Sequence, residues 1–315
     1  LIKPEYLLSS PFSEIKIPSK TEKKISAHKR ECTCLAFNPL GDAVITGGGD
    51  HLVKIWNVQT GKEAVTLKQF GKPIIDVCVS IDNEHLTAST TDHTATLVKL
   101  KTMRVMHTLT GHKDNINACR MTFTKKQVIT GSLDRTIKFW DIENGICTKT
   151  SICMSQCHDI HTSLSENYLA SAHYDGGIRI WSLRTGEQIK DIKDAHDDIV
   201  SCVRFAPNET SFVSTSTDHT VRVFDIRTYK ELFKFEHDNY RCSSSTNRLC
   251  ISSNSRYCFV GSKNGNIVIL DLTTGDLEEI YEDVHTAPVI ACEWQPRGDK
   301  FASIDTLGAL YIWEN

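Results

Sequence analysis

The feature that most narrows what this chain can fold into is a thirteen-residue pattern that keeps returning: small residues, an Asp, then an alternating stretch that ends in an aromatic. Clear copies are TGGGDHLVKIWNV (46–58), TGSLDRTIKFWDI (130–142), SAHYDGGIRIWSL (171–183) and STSTDHTVRVFDI (214–226). Degenerate copies are ASTTDHTATLVKL (88–100), VGSKNGNIVILDL (260–272) and SIDTLGALYIWEN (303–315). With the aromatic position as marker, Trp56, Val98, Trp140, Trp181, Phe224, Leu270 and Trp313 are separated by 42, 42, 41, 43, 46 and 43 residues. A second marker is independent of the first: His28, His112, His196 and His285 each stand 28 residues before Trp56, Trp140, Phe224 and Trp313. A block of this length holds four short strands and is too small to hide its own apolar side, so its neighbours must cover it.

The stretch 136–141 alternates with period two, as a half-buried strand requires, and Gly and Asx clusters punctuate the joins. These repeats resemble the WD-repeat family from about residue 20 to residue 315. The resemblance implies an all-β fold, a seven-bladed WD-repeat β-propeller with four antiparallel strands per blade. The last copy stops at a third strand, and a bare sheet edge invites aggregation. Lys23 to Ser26 stands where Val105 to Leu109 stands ahead of Gly111 and His112, so an N-terminal strand is expected to pair with the Trp313 strand and close the ring. The expected division is an N-terminal extension or linker over 1–19 and the propeller over 20–315.

Composition excludes several classes. With 40% hydrophobic and 24% charged residues the chain has ample material for a core, and a net charge of −3 provides no field that would draw in nucleic acid or an anionic membrane. Twelve cysteines in a chain this long, with no CxxC pair, read as reduced thiols. Cys34, Cys78, Cys119, Cys202 and Cys292 each fall in the first apolar segment of a repeat, where thiols pack as small hydrophobes. That usage points to the cytosol, and no long apolar run or leader argues for a membrane span or secretion. The chain opens on Leu1 instead of Met, which reads as a piece of a longer protein.

The WD-repeat resemblance implies that a His, a strand Ser or Thr, a turn Asp and a strand Trp form a hydrogen-bonded tetrad inside a blade. Complete sets are His28, Thr46, Asp50 and Trp56, and His112, Thr130, Asp134 and Trp140; blade five keeps His196, Ser214 and Asp218 but carries Phe224. Buried imidazole and indole groups need partners, so these residues are structural. A hydrolase triad is the tempting alternative, yet near-copies at a fixed period fit architecture better than several active sites. Blade two, with Phe70, Ala88 and Val98 around Asp92, must rely on apolar packing. Blade seven has Leu307 at the Asp position, and blade six has Asn264 and Leu270 with extra residues near 236–246 that read as a longer, binding-competent loop.

Cys153, Cys157, His158 and His161 lie within nine residues with His173 nearby, a density of soft ligands that can bind zinc. The CxxxC-HxxH spacing matches no standard site, and a strand sends alternate residues to opposite faces, so packing thiols and surface imidazoles are the preferred reading, with no metal and no cofactor. Gly47 to Gly49 precede Asp50 instead of a Lys-Ser/Thr pair and form a tight turn, not a phosphate loop. Asn208-Glu209-Thr210 reads as an unmodified turn, and scattered pairs such as Lys29-Arg30 and Lys125-Lys126 lack interleaved aromatics for nucleic acid. The Phe-Arg-Arg-Gly tetrapeptide of phosphoinositide-binding propellers is absent.

In WD-repeat propellers the turn before each inner Asp and the lead-in to each first strand meet on one face, which here collects Arg30, Thr91, Leu133, Tyr174, Thr217, His219 and Lys263. An exposed Tyr among polar neighbours suits a peptide hot spot, so Tyr174 is the leading partner-binding candidate. The run from His107 to His112, the run from Gly131 to Asp141, Asp159-Ile160 ahead of the turn 173–175, and Arg241-Cys242 together resemble the C-terminal propeller of autophagy-related sixteen-like proteins. That resemblance implies a non-catalytic scaffold that recruits protein or peptide partners within a multiprotein complex, and so helps direct lipid attachment of a ubiquitin-like protein at membranes touched only indirectly. Tyr174 matches the family's aromatic in blade four, whereas Asp198 stands where the family has a basic residue. The alternative is a substrate receptor of a ubiquitin ligase, which would gather Arg around the channel mouth to read a phosphorylated peptide; Arg30 is its one support.

Overall fold

The computed structural model describes residues 17–314 apart from 19, 123, 125, 297 and 299; the extension expected over 1–19 lies outside them except for Ile17 and Pro18. Every named element is a strand, and the strands form seven four-stranded antiparallel sheets arranged as a propeller. Blade one comprises Cys32–Phe37, Ala43–Gly48, Val53–Asn57 and Glu63–Leu67, running from the channel outward, and blades two to six repeat that order.

Blade seven is the exception that closes the ring. Val289–Trp294, Phe301–Asp305 and Ala309–Glu314 supply three strands, and Lys20–Ser26 supplies the fourth, antiparallel to the last. The register runs from Lys20 opposite Glu314 to Ser26 opposite Ala309, with a slip between Thr21 and Lys23. Farther back, the Tyr281 hydroxyl donates to the Pro18 carbonyl at 2.5 Å, so the chain ahead of the closing strand is tied to blade six.

The apolar residues resolve into seven clusters, one at each junction between blades. Cys34, Ile45 and Leu67 of blade one meet Ile74, Leu86 and Val98 of blade two, and Phe259 and Tyr281 of blade six meet Phe301 and Trp313 of blade seven. Trp56 and Phe37 close the circle against Ile304 and Leu310. Each sheet is therefore covered on both faces, which is why middle strands such as Ile267–Asp271 are buried at every position instead of at alternate ones.

The turn between second and third strands is the same device in every blade. The residue after the turn Asp or its counterpart is left-handed: His51, His93, Arg135, Gly176, His219, Gly265 and Gly308 have φ between 66° and 87°. In six blades the preceding Asp or Asn side chain steadies it by accepting the N–H two residues on, as Asp134 does from Thr136 and Asp218 from Thr220, both at 2.9 Å, and in blade seven Asp305 takes that part in place of Leu307. At Gly176 a side chain is excluded sterically as well, because a Cβ would collide with the His196 carbonyl.

Candidate functional site: the upper face and the channel

In blade one the Trp56 indole donates to Thr46 Oγ1 at 2.9 Å, the Thr46 hydroxyl faces His28 Nε2 at 2.8 Å, and His28 Nδ1 meets Asp50 at 2.8 Å. With a neutral ring one arrangement of protons satisfies all three: indole to hydroxyl, hydroxyl to Nε2, Nδ1–H to carboxylate. Burial then pushes the His28 pKa down, consistent with a neutral ring. Blade three repeats the chain through Trp140, Thr130, His112 and Asp134, and blade five through Ser214, His196 and Asp218 with Phe224 stacked on Phe212 at 5.1 Å. Burial works against the Asp134 and Asp218 carboxylates, yet the imidazole and Thr hydrogen bonds hold both well below their usual range.

Two blades build the network differently from the sequence expectation. In blade seven, Leu307 is an exposed turn residue, and Asp305, two positions earlier, bonds His285 Nδ1 at 2.9 Å while accepting the Leu307 and Ala309 N–H groups at 3.0 Å. Ser303 and Trp313 complete that tetrad. In blade four the imidazole comes from the equivalent position of the second strand: Ser171 Oγ lies 2.7 Å from both Trp181 Nε1 and His173 Nε2, and His173 Nδ1 donates to the Gln156 carbonyl at 3.2 Å. Burial pushes the His173 pKa down to about 3. Asp175, free of an imidazole, pairs with Arg179 at 2.6 Å.

Asp, His and Ser or Thr in this order have the connectivity of a hydrolase triad, so access decides their role. Thr46, Thr130, Ser214 and Ser303 are all fully buried, and three of them also accept an indole N–H. No acyl carbon can reach such an oxygen, and the arrangement works as a cross-brace.

The cluster considered for zinc is dispersed. Cys153 and Cys157 lie in the apolar junction of blades three and four, and burial pushes the Cys153 thiol up to about 12. His161 Nδ1 accepts the Phe205 N–H, and His173 is committed to its tetrad. The expectation of surface imidazoles also needs correcting, because His158 and His173 are buried. Among the described residues, Asp82, Glu84 and His85 form the one group of three His, Cys or acidic side chains with ligand atoms within 4.8 Å.

The insertion near 236–246 is likewise not a free loop. Tyr240 is fully buried, the Asn247 amide donates to the Gly261 carbonyl at 2.9 Å, and the segment leads into Arg248, which crosses the channel. Arg248 donates to the carbonyls of Asn117 (2.7 Å), Ser201 (3.1 Å) and His158 (3.2 Å) and pairs with Asp159 at 3.0 Å, tying together blades three to six. Asp159 also pairs with Arg204 and, at 3.5 Å, with Arg120, which reaches Asp76 at 2.9 Å. Burial opposes the Asp159 charge, but the three guanidinium groups hold its pKa well below the carboxylate range. The signal for this network was a charged residue in five of the seven inner strands, at Asp76, Arg120, Asp159, Arg204 and Glu293.

On the upper face a ring of backbone bonds fixes one residue per blade. The N–H groups of Gly49, Thr91, Leu133, Tyr174, Thr217, Lys263 and Thr306 donate to the carbonyls of Glu31, Pro73, Asn115, Gln156, Ile199, Arg241 and Pro288 at 2.8–3.1 Å. Thr91, Leu133, Tyr174, Thr217 and Lys263 therefore occupy equivalent rim positions. Arg30 lies in the loop leading into blade one, exposed, whereas half-buried His219 accepts the Cys242 N–H and faces the insertion. Between blades three and four the rim opens into a groove of about 760 Å³ lined by Lys113, Leu133, Arg135, Met154, Gln156 and Tyr174. Tyr174 is 56% and Met154 79% exposed, an apolar offering that the fold itself does not use.

Comparison with known proteins follows this architecture. The model of the WD domain, G-beta repeat, matches residues 19–57, 103–141, 148–182 and 186–225, the clear repeats, and leaves the degenerate blades two, six and seven unmatched. The chain belongs to the WD-repeat family. This WD-repeat chain is 34% identical over 96% of its length to Protein tipD of Dictyostelium discoideum, covering 50% of that protein. It is 31% identical to Autophagy-related protein 16 of Arabidopsis thaliana (96% of this chain, 59% of that one) and 31% to Protein Atg16l2 of Mus musculus (94% and 47%). The chain thus spans about half the length of these relatives. Among the described residues no helix is long and apolar enough to cross a membrane.

Proposed function

We propose that this propeller is the partner-recruiting module of an autophagy scaffold, non-catalytic itself, that captures a protein or short peptide on its upper face and so helps direct lipidation of a ubiquitin-like protein at membranes. The observation that carries the reading is the groove around Tyr174, where the rim exposes Tyr174 and Met154 beside Lys113 and Arg135, in a chain whose relatives include autophagy-related proteins. Aromatic anchors of this kind dominate protein interfaces. The tetrad Ser and Thr hydroxyls are sealed inside the blades, which supports recruitment over hydrolysis at those positions. The ligase-receptor alternative draws little support, because Arg120, Arg204 and Arg248 in the channel are already committed to Asp76 and Asp159.

The test is complementation with the full-length protein in cells lacking it. Tyr174→Ala should abolish partner capture and membrane conjugation of the ubiquitin-like protein while moving the melting temperature by about a degree at most, since rim substitutions change stability little. Full restoration by the variant overturns the assignment.

A further inference from the structure

The outermost strand of a blade has a neighbour on one side only, and in blade three that strand is Cys147–Ile152. The Cys153 N–H donates inward to the Arg135 carbonyl at 2.9 Å, and Ile152 and Thr150 stand opposite Thr136 and Lys138. In an antiparallel ladder alternate residues turn their main-chain groups the other way, so the N–H and C=O of Thr150 and Ile152 point out along the open edge. Such an edge is a template for a further strand, which proteins ordinarily guard with charge.

Five of the other six blades are guarded in that way. The same registers place Lys68, Lys193, Glu236 and Glu282 of blades one, four, five and six at the position of Ile152, and Lys24 of blade seven at that of Thr150, all exposed. Blade two has Thr108 and Thr110 there, polar and small. Blade three is the one that combines no charge with a large apolar side chain, since Ile152 is 67% exposed. The two lysines nearest the edge are held on the sheet: Lys149 donates to the Arg184 carbonyl of blade four at 3.1 Å and Lys138 to Thr150 Oγ1 at 3.0 Å. The upper end of this strand opens directly into the groove, because Met154 follows Ile152 by two residues and Arg135, whose carbonyl holds Cys153, lines the same space.

We infer that an extended segment of the partner adds to blade three as a fifth strand along Thr150 and Ile152, uncharged where it pairs and with β-branched or aromatic residues at alternate positions, and continues past Met154 into the groove at Tyr174. This rests on the recruiting role assigned to Tyr174 and adds how the partner is held. Main-chain hydrogen bonds along the edge provide affinity, and the side chains set beside Ile152 provide selectivity. A second copy of this chain fits less well. Two-fold pairing of the same strand is antiparallel, which carries the copy's Met154 to the far end of the strand and leaves the groove unfilled.

The experiment is selection of a displayed library of random twelve-residue peptides on the wild-type protein, followed by titration of the enriched peptides against variants and by site-resolved hydrogen exchange. The expected pool has Val, Ile, Thr, Phe or Tyr spaced two apart with no charge among them, and its binding slows exchange of the Thr150 and Ile152 amides. Thr150→Pro removes a donor from the open edge and none from the ladder with the neighbouring strand, and should weaken binding tenfold or more. Ile152→Glu, which installs the residue that blades five and six hold there, should do the same with the melting temperature within about 2 °C of wild type, so it carries the test if the proline variant is unstable. A pool charged throughout, unchanged exchange at both amides, or wild-type binding by Ile152→Glu overturns the inference. So does sedimentation of the protein alone as a dimer that Ile152→Glu dissociates, which makes a second copy the occupant. If Tyr174→Ala abolishes binding while Ile152→Glu and Thr150→Pro do not, the recruiting role stands and the added strand falls; if the two strand variants abolish it and Tyr174→Ala does not, the strand stands and the role of Tyr174 falls.

Discussion

Asp305→Ala tests whether a tetrad is defined by a point in space or by sequence spacing. The carboxylate is 1% exposed, meets the equally buried His285 Nδ1 at 2.9 Å, and accepts two turn N–H groups at 3.0 Å. Leaving the buried imidazole N–H without an acceptor costs about 1–3 kcal/mol. Unfolding entropies of about 2.1 cal/mol/K per residue, over roughly 300 residues, convert each kcal/mol into about 1.6 °C, so the melting temperature should fall by about 2–5 °C. Leu307→Ala, at the position where spacing alone would place the acid, should shift it by less than about 1 °C, because that side chain is 69% exposed. The double variant Asp305→Ala/Leu307→Asp restores the acid at the spacing used by Asp50 and Asp134 and should recover much of the loss. Calorimetry of the three proteins decides the matter. A loss in Asp305→Ala no larger than in Leu307→Ala refutes the reasoning.

Two further outcomes follow from the channel and the closure. Burial in the channel raises the Glu293 pKa from 4.5 to about 7, so the folded state holds this proton more tightly than the unfolded chain and stability falls as pH rises between those values. Glu293→Gln should therefore be more stable than wild type at pH 8, by up to about 3 kcal/mol, with the gain fading toward pH 4.5; denaturant titrations at pH 5 and 8 would expose the opposite sign if the carboxylate were held by Arg204 or Arg120. Deleting 20–26 strips the partner from Ala309–Glu314 and should lower the melting temperature by about 10 °C and promote aggregation, whereas an unchanged melt is incompatible with closure by that strand.

How far these features could be read from sequence depends on whether they were written locally. The propeller was legible because each blade repeats its turn chemistry, from Asp50-His51 to Asp218-His219, at a period that four strands impose. The closing strand was legible because the final repeat lacks a fourth strand that Lys23 to Ser26 can supply. Asp305 and His173 were not, because each reaches the tetrad from an adjacent strand position: the hydrogen-bonding geometry is kept while the spacing is not. Arg248 was hidden for a different reason. Its partners Asn117, His158, Asp159 and Ser201 come from three other blades, and only the circular arrangement brings them to one guanidinium. Met154 lies in a lead-in loop with no strand periodicity to mark it, and its place beside Tyr174 emerges from the junction of two blades.

The upper face is proposed as the surface where a partner is held. The most direct measurement replaces Tyr174 or Leu133 of the full-length protein, in cells, with the photo-crosslinking residue p-benzoylphenylalanine, alongside the same replacement at Leu40, Ile81 and Leu164, which are exposed in first-to-second-strand turns. Discrete adducts at positions 174 and 133, and none at the other three, are the expected result; adducts confined to 40, 81 or 164 would contradict it.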